Sequence, residues 1–75
     1  MEAELFHAVN DADSAAARRR VLELGLKERI EFRNVFFAEV AAELRARGGG
    51  RVPALWRKGR LVEGLEPVLA ALATL

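Results

Sequence analysis

The spacing of apolar residues switches repeatedly between a strand-like and a helix-like period within only 75 residues, and that alternation narrows the folds open to the chain more than any other feature. Residues 3–9, Ala-Glu-Leu-Phe-His-Ala-Val, are short and mostly apolar, as suits a central strand covered on both faces. Asn10-Asp11-Ala12-Asp13-Ser14 comes next, rich in side chains that cap helices and form turns. Residues 15–24 read as helix: Ala17, Val21 and Leu24 share a face, with Arg18 and Arg19 on or near the solvent side. Gly25 stands where helices commonly end in a left-handed residue. Residues 29–35 have period two, Ile30 and Phe32 on one side and Arg29, Glu31 and Arg33 on the other, predicting a half-exposed edge strand whose charges discourage pairing with another chain. Residues 36–47 return to a helical period through Phe37, Val40, Ala41 and Leu44. Phe36 cannot share the core-facing side with Phe37, so one of the pair is expected to be exposed and to mark a contact surface.

Gly48-Gly49-Gly50 ends that helix. Residues 52–56, Val-Pro-Ala-Leu-Trp, read as a strand with proline near its start, where no ladder donor is needed. Arg57-Lys58-Gly59-Arg60 reads as a turn and Leu61-Val62 as the returning strand of a hairpin. Gly64 breaks the strand, and Glu66-Pro67 opens a last helix that buries Val68, Leu69 and Leu72. The order is β-α-β-α-β-β-α. Two strands joined by a helix are parallel with a right-handed crossover. The expected fold is one α/β domain over residues 1–75, a four-stranded mixed sheet with helices on both faces. A ferredoxin-like split sheet would end in a strand, which the Pro67-led segment does not resemble.

Composition closes off several chemistries. There are no cysteines, which removes disulfides, thiolate metal sites, thiolate nucleophiles and dithiol cycling from these residues. A formal charge of +1 offers no large basic field, so no nucleic-acid partner is expected. Met1-Glu2-Ala3-Glu4 has neither a basic nor an apolar leader region, and no apolar run reaches the roughly 20 residues of a membrane span. The expected location is the cytoplasm, without a membrane partner.

The element order and several motifs resemble the glutaredoxins and the N-terminal domain of glutathione S-transferases, over nearly the whole chain and most specifically from Val52 to Leu72. Val52-Pro53 looks like the family's Val-Pro pair, which implies a cis-proline and a thioredoxin-like fold of glutaredoxin type. Gly50-Arg51-Val52-Pro53-Ala54-Leu55 is especially transferase-like. Val62-Glu63-Gly64-Leu65-Glu66 is similar to the family's strand, glycine pair and acidic helix start, with Glu63 in place of the first glycine. Asp11-Ala12-Asp13-Ser14 falls on the family's Cys-Pro-x-Cys site, so Asp11 and Ser14 are degenerate active-site positions. Disulfide exchange requires sulfur, so neither residue replaces it. The cysteine that ligates an iron–sulfur cluster in monothiol members is lost as well, and a basic residue common before the first cysteine is Ala8 here.

What the resemblance implies in place of redox chemistry is a binding or interaction module with no catalytic residue, no metal and no obligatory cofactor. The residue before the proline, Val52, would pair through its backbone with weakly bound glutathione or a peptide. Gly64, Leu65 and Glu66 would hold a γ-glutamyl carboxylate at a helix start, and Arg51 would add a charge. There are two alternatives: a transferase-like enzyme domain using the Ser14 hydroxyl, and a structural subunit, a homodimer or a complex with another protein, associating through Phe36. Plainer readings stand beside these. Asp11 to Ser14 serve as helix caps. His7, the only histidine, is structural or partly exposed, with no nucleophile in a readable motif beside it. Arg18-Arg19-Arg20 fan over a solvated helix, and Arg57, Lys58 and Arg60 form a charged turn beside a core Trp56. Gly48-Gly49-Gly50 comes after a helix, unlike a phosphate loop.

Overall fold

All 75 residues are described by a computed structural model of the chain. The elements are β1 (Ala3–His7), α1 (Ala12–Glu23), β2 (Ile30–Asn34), α2 (Ala38–Ala46), β3 (Ala54–Arg57), β4 (Arg60–Glu63) and α3 (Leu65–Leu72), in the order expected from the apolar spacing. The sheet runs β2-β1-β3-β4. β1 is parallel to β2, with Leu5 opposite Phe32, and antiparallel to β3, with Leu5 opposite Leu55. β3 and β4 form the antiparallel hairpin. The domain is therefore α/β with a mixed four-stranded sheet and three helices.

Alternation along the strands sorts the core into two layers. Leu5, Ile30 and Leu55 face α1 and α3 and bury Ala17, Val21, Val68 and Leu72. Phe6 and Ala54 face the other way and bury Val40 and Leu44 of α2. α1 ends as the Gly25 signal predicts. Gly25 takes φ 69° and donates to the Leu22 carbonyl at 3.1 Å, while Leu26 donates to Val21 at 2.9 Å. Val21 and Leu26 both join the core, so this ending also fixes the path into β2.

Several expected boundaries shift for local reasons. α1 starts at Ala12, not residue 15, because Asp11 caps it: the Asp11 Oδ2 accepts from the Ser14 N–H at 2.8 Å. α2 starts at Ala38, and both Phe36 and Phe37 lie outside it, 59% and 60% exposed, so Phe37 is not part of the buried stripe. Asn34 causes this. Its Oδ1 accepts from the Phe36 N–H at 3.0 Å and its carbonyl from the Phe37 N–H at 3.2 Å, closing a turn where the helix would otherwise begin. The hairpin turn shrinks to Lys58-Gly59, both left-handed at φ 52° and 77°, which leaves Arg57 and Arg60 in strands. β3 begins at Ala54, just beyond Val52-Pro53, and α3 begins at Leu65 with Gly64 as its cap.

Two arginines expected in solvent are not there. Arg33 lies under α2, ion-paired with Glu4 and with Glu43 at 2.6 Å. Arg18 reaches back to β1. No helix is long and apolar enough to cross a membrane.

Gly25 and Gly50 separate backbone conformation from crowding, since a methyl group added at either meets nothing within 4 Å. Only Gly25 holds a left-handed φ. Gly25→Ala is expected to lower the unfolding free energy by about 1 kcal/mol. Gly50→Ala is expected to leave it unchanged or raise it by up to about 1 kcal/mol. Urea midpoints at constant m-value check both.

Candidate functional site

The carboxyl end of β1 organises the loops around it. Ser14 is fully buried. Its Oγ accepts the Ala8 N–H at 3.1 Å, while its own N–H donates to Asp11. The hydroxyl thus ties the first turn of α1 to the preceding strand, and it has no surface on which a ligand could rest. Asp11 is half-buried with one carboxylate oxygen engaged as a cap. Asp11 and Ser14 are brought together by the fold, and both serve the loop.

His7 is buried beside them, edge-on to the Phe32 ring at 5.6 Å. The Arg18 Nη1 lies 2.9 Å from His7 Nδ1 and also donates to the Ala8 carbonyl at 3.1 Å. A guanidinium has no acceptor, so His7 Nδ1 accepts and its proton sits on Nε2. Burial disfavours the imidazolium first, and the neighbouring Arg18 charge adds to this; together they hold the His7 pKa below its ordinary value. The sequence offered His7 and Arg18 as separate surface or core residues. Their spacing across a strand-to-helix connection was the signal that could have joined them.

On the far side of β1 lies the groove that the second cluster of residues shapes. Val52-Pro53 is cis. Neither the N–H nor the C=O of Val52 has a hydrogen-bond partner in the chain. The Pro53 carbonyl accepts from Gly64 N–H at 2.8 Å, which sets the start of α3 directly against the proline. There the Leu65 and Glu66 N–H groups are unpaired, as the opening of a helix leaves them. Arg51 closes over this point: a methyl group on Gly64 would stand 2.5 Å from Arg51 Nη2, so only glycine admits the guanidinium so near the backbone. Glu63 does not project toward the helix start as a competing charge. Its Oε2 accepts from the Gly50 and Arg51 N–H groups at 2.8 and 3.0 Å and so holds the glycine loop.

Beside Val52 the surface opens into a groove of about 260 Å³ between α2 and that loop. Val35 and Leu44 give it an apolar floor, and Arg45 and Arg51 stand at its rim. The fold therefore gathers Arg51, Val52, Pro53, Gly64, Leu65 and Glu66 in one neighbourhood. It adds Arg45 and Val35, which sequence reasoning missed, although Ala41 and Arg45 are one helical turn apart. The arrangement can hold an extended, carboxylate-bearing ligand through backbone groups and two guanidinium charges. No group of three or more histidine or acidic side chains is gathered to hold a metal ion. No protein-family model, curated protein or solved structure matches this chain.

The buried, neutral His7 makes stability pH-dependent with a definite sign. Its folded pKa lies below its unfolded value of about 6.5, so the unfolded chain binds the proton first. The contribution is complete above about pH 6.5 and is lost as the pH falls from there toward the folded value. Urea midpoints are expected to drop between neutral pH and pH about 5, and His7→Gln is expected to lose part of that dependence. Parallel pH profiles of the two proteins would show His7 to be irrelevant.

Proposed function

We propose that this chain is a thioredoxin-like domain of glutaredoxin type that binds and does not react: a thiol-free module taking a γ-glutamyl compound such as glutathione, or an extended peptide, along Val52. The topology supports the reading, with a helix-linked parallel pair, an antiparallel hairpin and a closing helix. So does the place of Asp11 and Ser14 at a helix start with no sulfur to carry exchange. The observation that carries it is the unpaired Val52 backbone at the mouth of the groove beside α2, next to a cis-proline whose carbonyl holds the start of α3 and its free Leu65 and Glu66 N–H groups. A ligand strand would pair with Val52 while its carboxylate meets the helix start and Arg51.

Titration of labelled protein with glutathione, monitored by amide chemical shifts, tests this. Localised shifts at Val52, Gly64, Leu65 and Glu66 are expected at millimolar ligand, weakened several-fold in Arg51→Gln. Absence of shifts at these residues with glutathione and with a blocked extended peptide would remove the reading.

A second reading is favoured by the exposure of Phe36, Phe37 and Val9, the last 53% exposed. The Val35 N–H donates to the His7 carbonyl at 2.9 Å, so all three leave the same end of the sheet. This end would dock on a second copy of the chain. Sedimentation equilibrium is then expected to show a dimer that Phe36→Ala dissociates, and a monomer at millimolar protein would exclude it.

A further inference from the structure

β4 is one of the two edges of the sheet. Hydrogen-bonded and non-bonded pairs alternate along an antiparallel hairpin, and the Gly64 N–H to Pro53 carbonyl bond sets the phase. The N–H and C=O groups of Leu61 and Glu63 therefore point away from β3, with no partner in the chain. α3 covers the adjoining sheet face only in part. Between α3 and the hairpin it leaves a groove of about 460 Å³.

The chemistry of that groove is one-sided. Leu55, Val62 and Ala71 make an apolar floor; Arg57, Lys58 and Arg60 line it with positive charge, and no carboxylate lines it. None of these three cations belongs to an ion pair. Arg57 is held by a single long bond, Nη1 to Thr74 Oγ1 at 3.3 Å, and its Nε is shielded from water with no partner at all. A shielded donor left without an acceptor is costly, so the Arg57 head is not settled within the chain. The left-handed Lys58 keeps the turn tight, so Arg57 and Arg60 stand directly opposite each other.

We propose that an extended protein segment carrying acidic and apolar residues adds to β4 as a fifth strand, its side chains entering this groove. Backbone pairing goes to Leu61 and Glu63, apolar side chains settle on Val62 and Ala71, and a carboxylate meets the guanidinium groups of Arg57 and Arg60 that line the groove. A second copy of this chain is a poor occupant, because it would bring Arg57, Lys58 and Arg60 against their own like. The inference is independent of the Val52 groove, which lies beside α2 and not α3.

The test uses the intact chain and a blocked peptide of about six alternating Val and Glu residues, a typical strand length. Amide shifts at Leu61, Val62 and Glu63 are expected, with slowed hydrogen exchange at Leu61 and Glu63. Affinity is expected to fall about 10-fold in Arg57→Gln and in Arg60→Gln, the latter altering an exposed side chain that the fold does not need. The same peptide N-methylated at alternate residues, which leaves the protein untouched, is expected not to bind. Equal binding of a Val–Lys peptide, or undiminished binding of the N-methylated one, would overturn the proposal. So would tighter binding of a single-stranded oligonucleotide at these residues. Shifts confined to Val52, Leu65 and Glu66 would end it while leaving the Val52 groove in place.

Discussion

Leu5 and Phe6 are neighbours in the chain, point to opposite faces of the sheet and are both wholly buried. Burial of each contributes about 1.5–3 kcal/mol, in a domain so small that only about 60% of its unfolded surface is removed from water. Both helical layers rest on this one strand, and both neighbouring strands take their register from it. The loops at the carboxyl end of β1 are fixed for the same reason. The His7 carbonyl receives Val35, the Ala8 N–H goes to Ser14, and the Ala8 carbonyl goes to Arg18. These loops are thus extensions of the strand's own polar groups, drawn into position because its apolar groups leave it no freedom.

The two layers are not built alike. Beneath α1 and α3 the packing is apolar throughout, whereas beneath α2 the buried cluster is small and charge completes it. Glu4 bonds to Arg33 and, at 2.9 Å, to Arg47, and Glu43 takes both arginines from the helix side at 2.6 and 3.0 Å. The two guanidinium planes lie 5.5 Å from the Phe6 ring centroid, and Arg47 stands 4.8 Å over Trp56. Isolated surface pairs of this kind contribute little, about 0–1 kcal/mol. Here the four charges share partners and cover aromatic faces, so their main effect is to fix where α2 sits. Since α2 is one wall of the Val52 groove, that wall is set before any ligand arrives, which lowers the ordering cost of binding.

Legibility tracked the range of the forces involved. Apolar period is local, and it yielded every strand and helix, the central place of β1 and the edge place of β2. Glycine signals are local too, and Gly25 ended its helix as read. Two of the misplaced residues have partners farther away along the chain, and a third is displaced by a neighbouring turn. Arg33 alternates correctly with Phe32, but only the later α2 and the earlier Glu4 turn its outward face into a covered one. Arg18 fits a solvated helix face until β1 supplies a carbonyl and an imidazole. Phe37 keeps helical spacing, and the turn made by Asn34 takes it out of the helix. Arg51, Val52, Pro53 and Gly64 to Glu66 were singled out by resemblance and stand together through the Pro53–Gly64 bond, and Arg45 was missed because its relation to Val52 exists only through the fold of the glycine loop.

Net charge leaves arrangement unread for a related reason. A formal +1 describes the sum and not the arrangement. Glu2, Glu4, Glu23 and Glu43 are held in ion pairs, and Glu63 is held by two backbone N–H groups. Arg45, Arg51, Arg57, Lys58 and Arg60 form no ion pair, and all of them line the two grooves that flank the hairpin. Alternation along β3 and β4 places the grooves on opposite faces: Trp56 and Leu61 look toward α2, Leu55 and Val62 toward α3. A nearly neutral chain thereby presents unpaired positive charge on both sides of one short hairpin. Each side also offers unpaired backbone groups, so charge and main-chain pairing coincide where an anionic, extended ligand would need both.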